Sequence, residues 1–116
     1  MAVLHLTLKK KWFDMIATGV KKEEYRDTKP YWYERLMYYD LVSRNNIKPI
    51  KRYTEMKQFD EIHFRNGYGK NAPFIIVECL GIEIGDPNPE WSDGFSGNCF
   101  VLKLGNIIIG SAKIKS

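Results

Sequence analysis

Apolar and polar residues alternate at the start of the chain. Leu4, Leu6 and Leu8 are separated by His5 and Thr7, the period of two expected of a strand with one buried face. From Leu8 the spacing changes. Leu8, Trp12, Met15 and Ile16 fall on one stripe of a helix, and Gly19 stands where a helix C-terminus commonly needs a left-handed residue. The pattern predicts a strand running almost directly into a short helix that begins with Lys9, Lys10 and Lys11. Cations there oppose the helix dipole, so solubility or an anionic partner must account for them. Val20 to Thr28 is polar and β-compatible. Pro30 then opens a second helix, predicted over residues 30–41 from Trp32, Leu36 and Tyr39, with Thr28 as a candidate cap. Residues 42–58 show no convincing period and read as an extended, basic connection.

Phe59 to Phe64 alternates as a strand and is closed by Asn66-Gly67-Tyr68-Gly69. Phe74 to Leu80 is apolar at nearly every position, which predicts a central strand covered on both faces. Residues 85–98 are too rich in Gly, Pro, Asp and Asn for a regular element and form a long loop, a length more often functional than idle. Cys99 to Leu104 is a further strand, and Gly105-Asn106 before Ile107-Ile108-Ile109 gives a two-residue hairpin signal. Five to six short strands with two short helices near the N-terminus describe a small α+β, barrel-like domain over residues 1–116.

Composition agrees. The 116 residues are 44% hydrophobic and 28% charged, with mean hydropathy −0.39, a balance that fits neither disorder nor a membrane protein. No stretch approaches the ~20 apolar residues of a membrane span, and the apolar start lacks the charge order of a signal peptide. A cytoplasmic location is expected. Cys79 and Cys99 lie in apolar stretches and cannot make a framework of several bridges, which suits a reducing compartment.

Charge changes the picture once it is divided. Residues 1–60 carry 13 Lys/Arg against 8 Asp/Glu, and residues 61–116 carry 5 against 6. Tyr25, Tyr31, Tyr33, Tyr38, Tyr39 and Tyr53 share the basic half with Trp12 and Trp32. Cations interleaved with aromatics suit phosphate contact and base stacking. A solvated basic face beside an aromatic core explains the same counts. Of the helical aromatics, Trp32 is assigned to the core, while Tyr31 and Tyr33 stay open between core and stacking roles.

The densest stretch is Gly19-Val20-Lys21-Lys22-Glu23-Glu24-Tyr25-Arg26-Asp27. Strand alternation puts Lys22, Glu24 and Arg26 on one face and Lys21, Glu23 and Tyr25 on the other. Compensating surface ion pairs would explain it, as would a site where a helix end meets a strand at a barrel mouth. Other chemistries have weaker support. His5, His63, Cys79 and Cys99 lack zinc-ligand spacing, no Gly-x-Ser-x-Gly elbow exists, and no helix pattern follows Gly67 and Gly69. Neither a metal nor a cofactor is expected.

Gly19, Lys21, Glu24 and Arg26 spell Gly-x-Lys-x-x-Glu-x-Arg, which resembles the signature of the ASCH domain (activating signal cointegrator homology), a group similar in fold to the PUA RNA-binding domains. The Pro30-Tyr31-Trp32, Asn66 to Gly69, Pro89-Glu90-Trp91 and Phe100 to Gly105 segments are also similar to ASCH sequences, so the resemblance covers nearly the whole chain, though only the motif is specific. It implies a PUA-like mixed β-barrel with a cleft beside the motif that binds RNA or a nucleotide or nucleoside. Lys21 would supply a cation or a base, Glu24 an acceptor, Arg26 a fork onto phosphate or a clamp on Glu24, and Gly19 close backbone approach. Lys9, Lys10, Lys11 and Tyr31 complete the candidate binding set, and no membrane partner is expected. The resemblance also implies two alternatives. One is a small hydrolase, an amidohydrolase on N4-acylated cytidine or a ribonuclease, with Lys21 and Glu24 as catalytic candidates. The deacylase pattern has a Thr where this chain has Glu24, and Glu90 is the remote carboxylate on offer. The other is a protein-interaction module in transcription or translation. The sequence leaves open the oligomeric state, including any dimer through Ile107-Ile108-Ile109.

Overall fold

In the computed structural model, which describes residues 1–45, 47–94 and 97–110, the alternating start becomes β1 (Val3–Thr7) and the helical stripe becomes α1 (Lys10–Ala17). α1 buries Trp12, Phe13 and Ile16, and its N-cap residue Lys9 makes no capping hydrogen bond with its side chain. The helix stops at Gly19, whose φ of 81° is left-handed. The amides of Val20 and Lys21 then both donate to the Met15 carbonyl, at 3.0 and 2.9 Å. Glycine adopts this termination without a Cβ penalty. The chain continues through β2 (Glu23–Arg26), α2 (Pro30–Leu36), β3 (Met37–Val42), β4 (Ile50–Met56), β5 (Glu61–Arg65), β6 (Phe74–Gly85), a 3-10 turn at Pro89–Trp91 and β7 (Cys99–Gly110).

Five strands form one curled mixed sheet, a half-barrel, in the order β1-β5-β6-β7-β2. β1 runs parallel to β5, and the other neighbours are antiparallel. The inner face contributes Leu4, Leu6, Ile62, Phe64, Ile75, Val77, Phe100, Leu102 and Leu104, and α1 closes it with Trp12, Phe13 and Ile16. β3 and β4 pair only with each other, as a two-stranded ribbon. No helix among the described residues is long and apolar enough to cross a membrane.

The small α+β, barrel-like class with two helices therefore stands: among the described residues the curled sheet holds five strands, within the expected five to six, and the two-stranded ribbon adds two more. Several local expectations are corrected. The second helix ends at Leu36, not at residue 41, and its cap position is Lys29, without a side-chain bond, rather than Thr28. Residues 42–58 are not a bare connection, since β4 lies within them. Tyr39, spaced like a helical residue, pairs instead with Tyr53 across the ribbon. Most of β3 and β4 is exposed, so no buried face imposed the alternation by which strands are recognised.

β6 is the middle strand of the sheet as expected, but its outer face is poorly covered and Leu80 is exposed. The strand segment covered on both faces is the first half of β7, residues 99–104: Phe100, Leu102 and Leu104 enter the main core, while Cys99 and Val101 pack with Tyr25 and Trp91 on the other side. Finally, Gly105-Asn106 makes no hairpin, because β7 runs unbroken to Gly110. A Cβ on Gly105 would collide with Glu78 Oε1 and lie 3.0 Å from Leu80 Cδ2. The glycine thus accommodates the side chains of β6 rather than a turn.

Candidate functional site

The left-handed stop at Gly19 decides where Lys21 goes. With both amides tied back to Met15 and the Lys22 carbonyl accepting from Leu104 N–H at 3.0 Å, strand pairing begins too late for simple alternation to hold at Lys21. Its side chain turns to the same side as Glu24 and Arg26, contrary to the expected faces, and Lys21 Nζ lies 3.0 Å from Glu24 Oε1. Lys22 is exposed. Glu23 and Tyr25 do share the opposite face, where the Tyr25 hydroxyl donates to Glu23 Oε1 at 2.7 Å.

Lys21 is only 2% exposed and Glu24 only 5%. Glu24 also accepts from Arg26 NH2 through Oε2 at 2.7 Å, and the same guanidinium nitrogen donates to the Thr7 carbonyl at 3.1 Å. One carboxylate therefore holds two cations, and Arg26 ties β2 to β1. Lys21 donates further to the Trp91 carbonyl at 2.5 Å, which fastens the long loop over the site. The Tyr25 hydroxyl helps by accepting from the Asn88 amide at 3.0 Å. Burial lowers the Lys21 pKa, opposed by the nearby Glu24 carboxylate and its hydrogen bond. Desolvation disfavours the charged form, and only a close counter-charge can offset it. Desolvation also raises the Tyr25 pKa, reinforced by Glu23.

These residues line a cleft of about 350 Å³. All three tryptophans of the chain reach it: Trp12 from α1, Trp32 from α2 and Trp91 from the loop. Lys21 Nζ lies 4.3 Å from the Trp12 ring centre, and the Arg26 guanidinium 4.9 Å from that of Trp32. The charged lining is balanced, with Lys9, Lys21 and Arg26 against Glu24, Asp27 and Asp93. Two buried polar atoms in this lining, Arg26 Nε and Asp27 Oδ1, have no hydrogen-bond partner among the described residues. One is a donor and the other an acceptor.

The remaining candidates are placed as follows. Gly19 shapes the approach of Lys21 but is not among the cleft residues, and Lys9 is the one residue of the lysine run that lines the cleft. Lys10 pairs with Asp14 within its helix, and Lys11 lies over Trp12. Tyr31 is exposed and stacks edge-on against Trp32, with ring centres 4.9 Å apart. Trp32, expected in the core, packs against it while also walling the cleft. Glu90 is exposed and does not line the cleft; Asp93 supplies the loop's carboxylate there. Of the long loop, residues 95 and 96 lie outside the described residues. No cluster of metal-ligating side chains occurs among the described residues, and both cysteines are free thiols. Sequence reasoning missed Asp27, Trp91 and Asp93 as cleft residues. Only the loop's length and composition hinted at the last two.

Comparison with known protein families, with curated proteins and with solved structures finds no match to this chain.

Proposed function

We propose that the cleft binds the planar, uncharged base of a nucleoside or of an RNA strand, in a binding module of the ASCH, PUA-like type. The observation that carries this reading is the composition of the cleft: three tryptophans around a lining in which three cations are matched by three carboxylates. Lys21, expected as a cation or a base, and Arg26, expected as a fork onto phosphate or a clamp on Glu24, are both paired with the buried Glu24. A phosphate entering here would face Asp27 and Asp93 with little free positive charge to receive it. A heterocycle gains aromatic contact instead, and its adjoining donor and acceptor groups can answer the unpaired Asp27 Oδ1 and Arg26 Nε. Base stacking on aromatic side chains contributes about 1–3 kcal/mol per base.

Titration of tryptophan fluorescence with nucleosides tests the reading. Cytidine, uridine, adenosine and guanosine are compared with ribose 5-phosphate, beside a Trp91→Ala variant. Saturable quenching by a nucleoside that is lost in the variant, with none by the sugar phosphate, is expected. Quenching by the sugar phosphate alone, or by nothing, defeats it.

A second reading, hydrolysis of an acyl group from the exocyclic nitrogen of cytidine, draws on the lowered Lys21 pKa and the adjacent Glu24. A neutral Lys21 would take a proton from water as its oxygen attacks the amide carbonyl, then return it to the leaving nitrogen as the C–N bond breaks. Incubation with N4-acetylcytidine, with Lys21→Ala as control, decides between binding and turnover. Acetate release lost in the control establishes the enzyme, and intact substrate in both eliminates it.

A further inference from the structure

The β3–β4 ribbon takes no part in the cleft, yet it carries an excess of positive charge. Residues 37–57 carry Arg44, Lys48, Lys51, Arg52 and Lys57 against Asp40 and Glu55. α2 braces β4: Glu34 accepts from Lys51 Nζ at 2.5 Å and from the Tyr53 hydroxyl at 2.9 Å. Those bonds dispose of Lys51. Arg52 pairs with Asp40 at 3.1 Å where both are exposed, a contact of small worth in water. Arg44 and Lys48, at the far end, make no ion pair among the described residues. On one face of the ribbon Val42, Ile47 and Ile50 floor an open cup of about 410 Å³ rimmed by Arg44, Lys48 and Arg52. Ile47 is 63% and Ile50 66% exposed, and the described residues leave this face uncovered.

We propose that this ribbon is a second binding surface, independent of the cleft, that takes the sugar–phosphate backbone of a polynucleotide. Charge complementarity argues for a polyanion, since two tip cations are unpaired and a third has only an exposed partner. A bilayer is a poorer fit. An inserting tip needs its apolar residues at the very end, whereas loop 43–49 carries Ser43, Arg44, Asn45 and Lys48 around the single aliphatic Ile47. Val42 and Ile50, the strand pair next to this loop, are placed to cover the apolar faces of sugars or bases between phosphates. α2 gives the arrangement continuity, because the same short helix walls the cleft with Trp32 and anchors the ribbon through Glu34.

The test measures three ligands on the full chain: a labelled single-stranded RNA of about 12 nucleotides, within the span of a single-strand site, free nucleosides, and vesicles containing phosphatidylserine. Arg44→Glu/Lys48→Glu is compared with the unaltered protein. Because both residues are exposed, the urea midpoint is expected to stay unchanged. Oligonucleotide affinity is expected to fall by at least about tenfold, and the slope of log affinity against log salt to become shallower by about 1.4, the equivalent of two lost phosphates. Nucleoside quenching is expected to be unaffected. Equal oligonucleotide affinity and slope in the two proteins overturns the proposal, as does arm-dependent binding of vesicles but not RNA. If RNA binding depends on the arm while no nucleoside binds, the arm stands and the cleft reading falls. Nucleoside binding without arm-dependent RNA binding has the reverse meaning.

Discussion

Glu24 is the residue on which the site depends, because among the described residues it is the carboxylate paired with both Lys21 and Arg26. Replacing it with Gln leaves two cations beside a neutral amide, one of them fully buried, and breaking a buried pair in this way typically costs about 3–5 kcal/mol. Lys21→Met is expected to cost clearly less, since Glu24 keeps Arg26, and urea denaturation of the two variants measures the order. The protonation of Lys21 also has a definite sign. Its folded pKa is below the unfolded 10.5 because of burial, so between those values the unfolded chain binds more protons, and this residue's contribution to stability rises with pH across that window. Ion pairs such as Lys103–Glu23, whose lysine pKa is raised by Glu23, act oppositely and lose stability as pH rises through the raised value. Lys21→Met is therefore expected to flatten a rise in the urea midpoint that the unaltered protein shows on approaching pH 10.5, the unfolded value. A midpoint that changes identically in both proteins refutes the assignment.

Each element draws its stability from a different source. α1 starts with cations and no cap, so its packing against the sheet has to hold it, as is usual for short helices. Phe13→Ala, at a position 2% exposed, is expected to cost about 3–5 kcal/mol. Gly19→Ala meets no crowding, the nearest atom being Lys22 Nζ at 3.8 Å. Its expected cost of about 1–2 kcal/mol is that of a left-handed L-residue, and the displacement of Lys21 should weaken nucleoside binding in parallel. The ribbon is the opposite case. Leu41 and Ile50 are each 66% exposed, and Ile50→Ser is expected to move stability by no more than about 0.5 kcal/mol. Chemical denaturation across these three variants tests the ranking. Elements held by an internal face, β1, α1, β5 and β7, were readable from alternation or helical spacing. β4, exposed on both sides, was not.

For the whole molecule, a net charge of +4 conceals an uneven distribution. The cleft lining is balanced, and excess positive charge stands outside it on the ribbon and at the start of α1. Nucleoside binding in the cleft is accordingly expected to be nearly insensitive to salt, while oligonucleotide binding weakens as salt releases its counterion advantage. Equal salt slopes for the two ligands contradict that division. The chain carries in its own order these local decisions: Leu4, Leu6 and Leu8 as a strand, the stripe through Trp12 and Ile16, the stop at Gly19, and the concentration of charge from Lys21 to Asp27. Those depend on neighbours a few residues apart. Folding alone determined that Lys21 turns to the side of Glu24 and meets the carbonyl of Trp91, and that three tryptophans far apart in sequence surround one space. Nothing in residue spacing encodes those meetings, because they follow from the curl of the sheet and the return of the long loop across β7. Lys21 and Arg26 are thereby compensated by Glu24, and the excess positive charge stands outside the cleft, on the ribbon and at the start of α1.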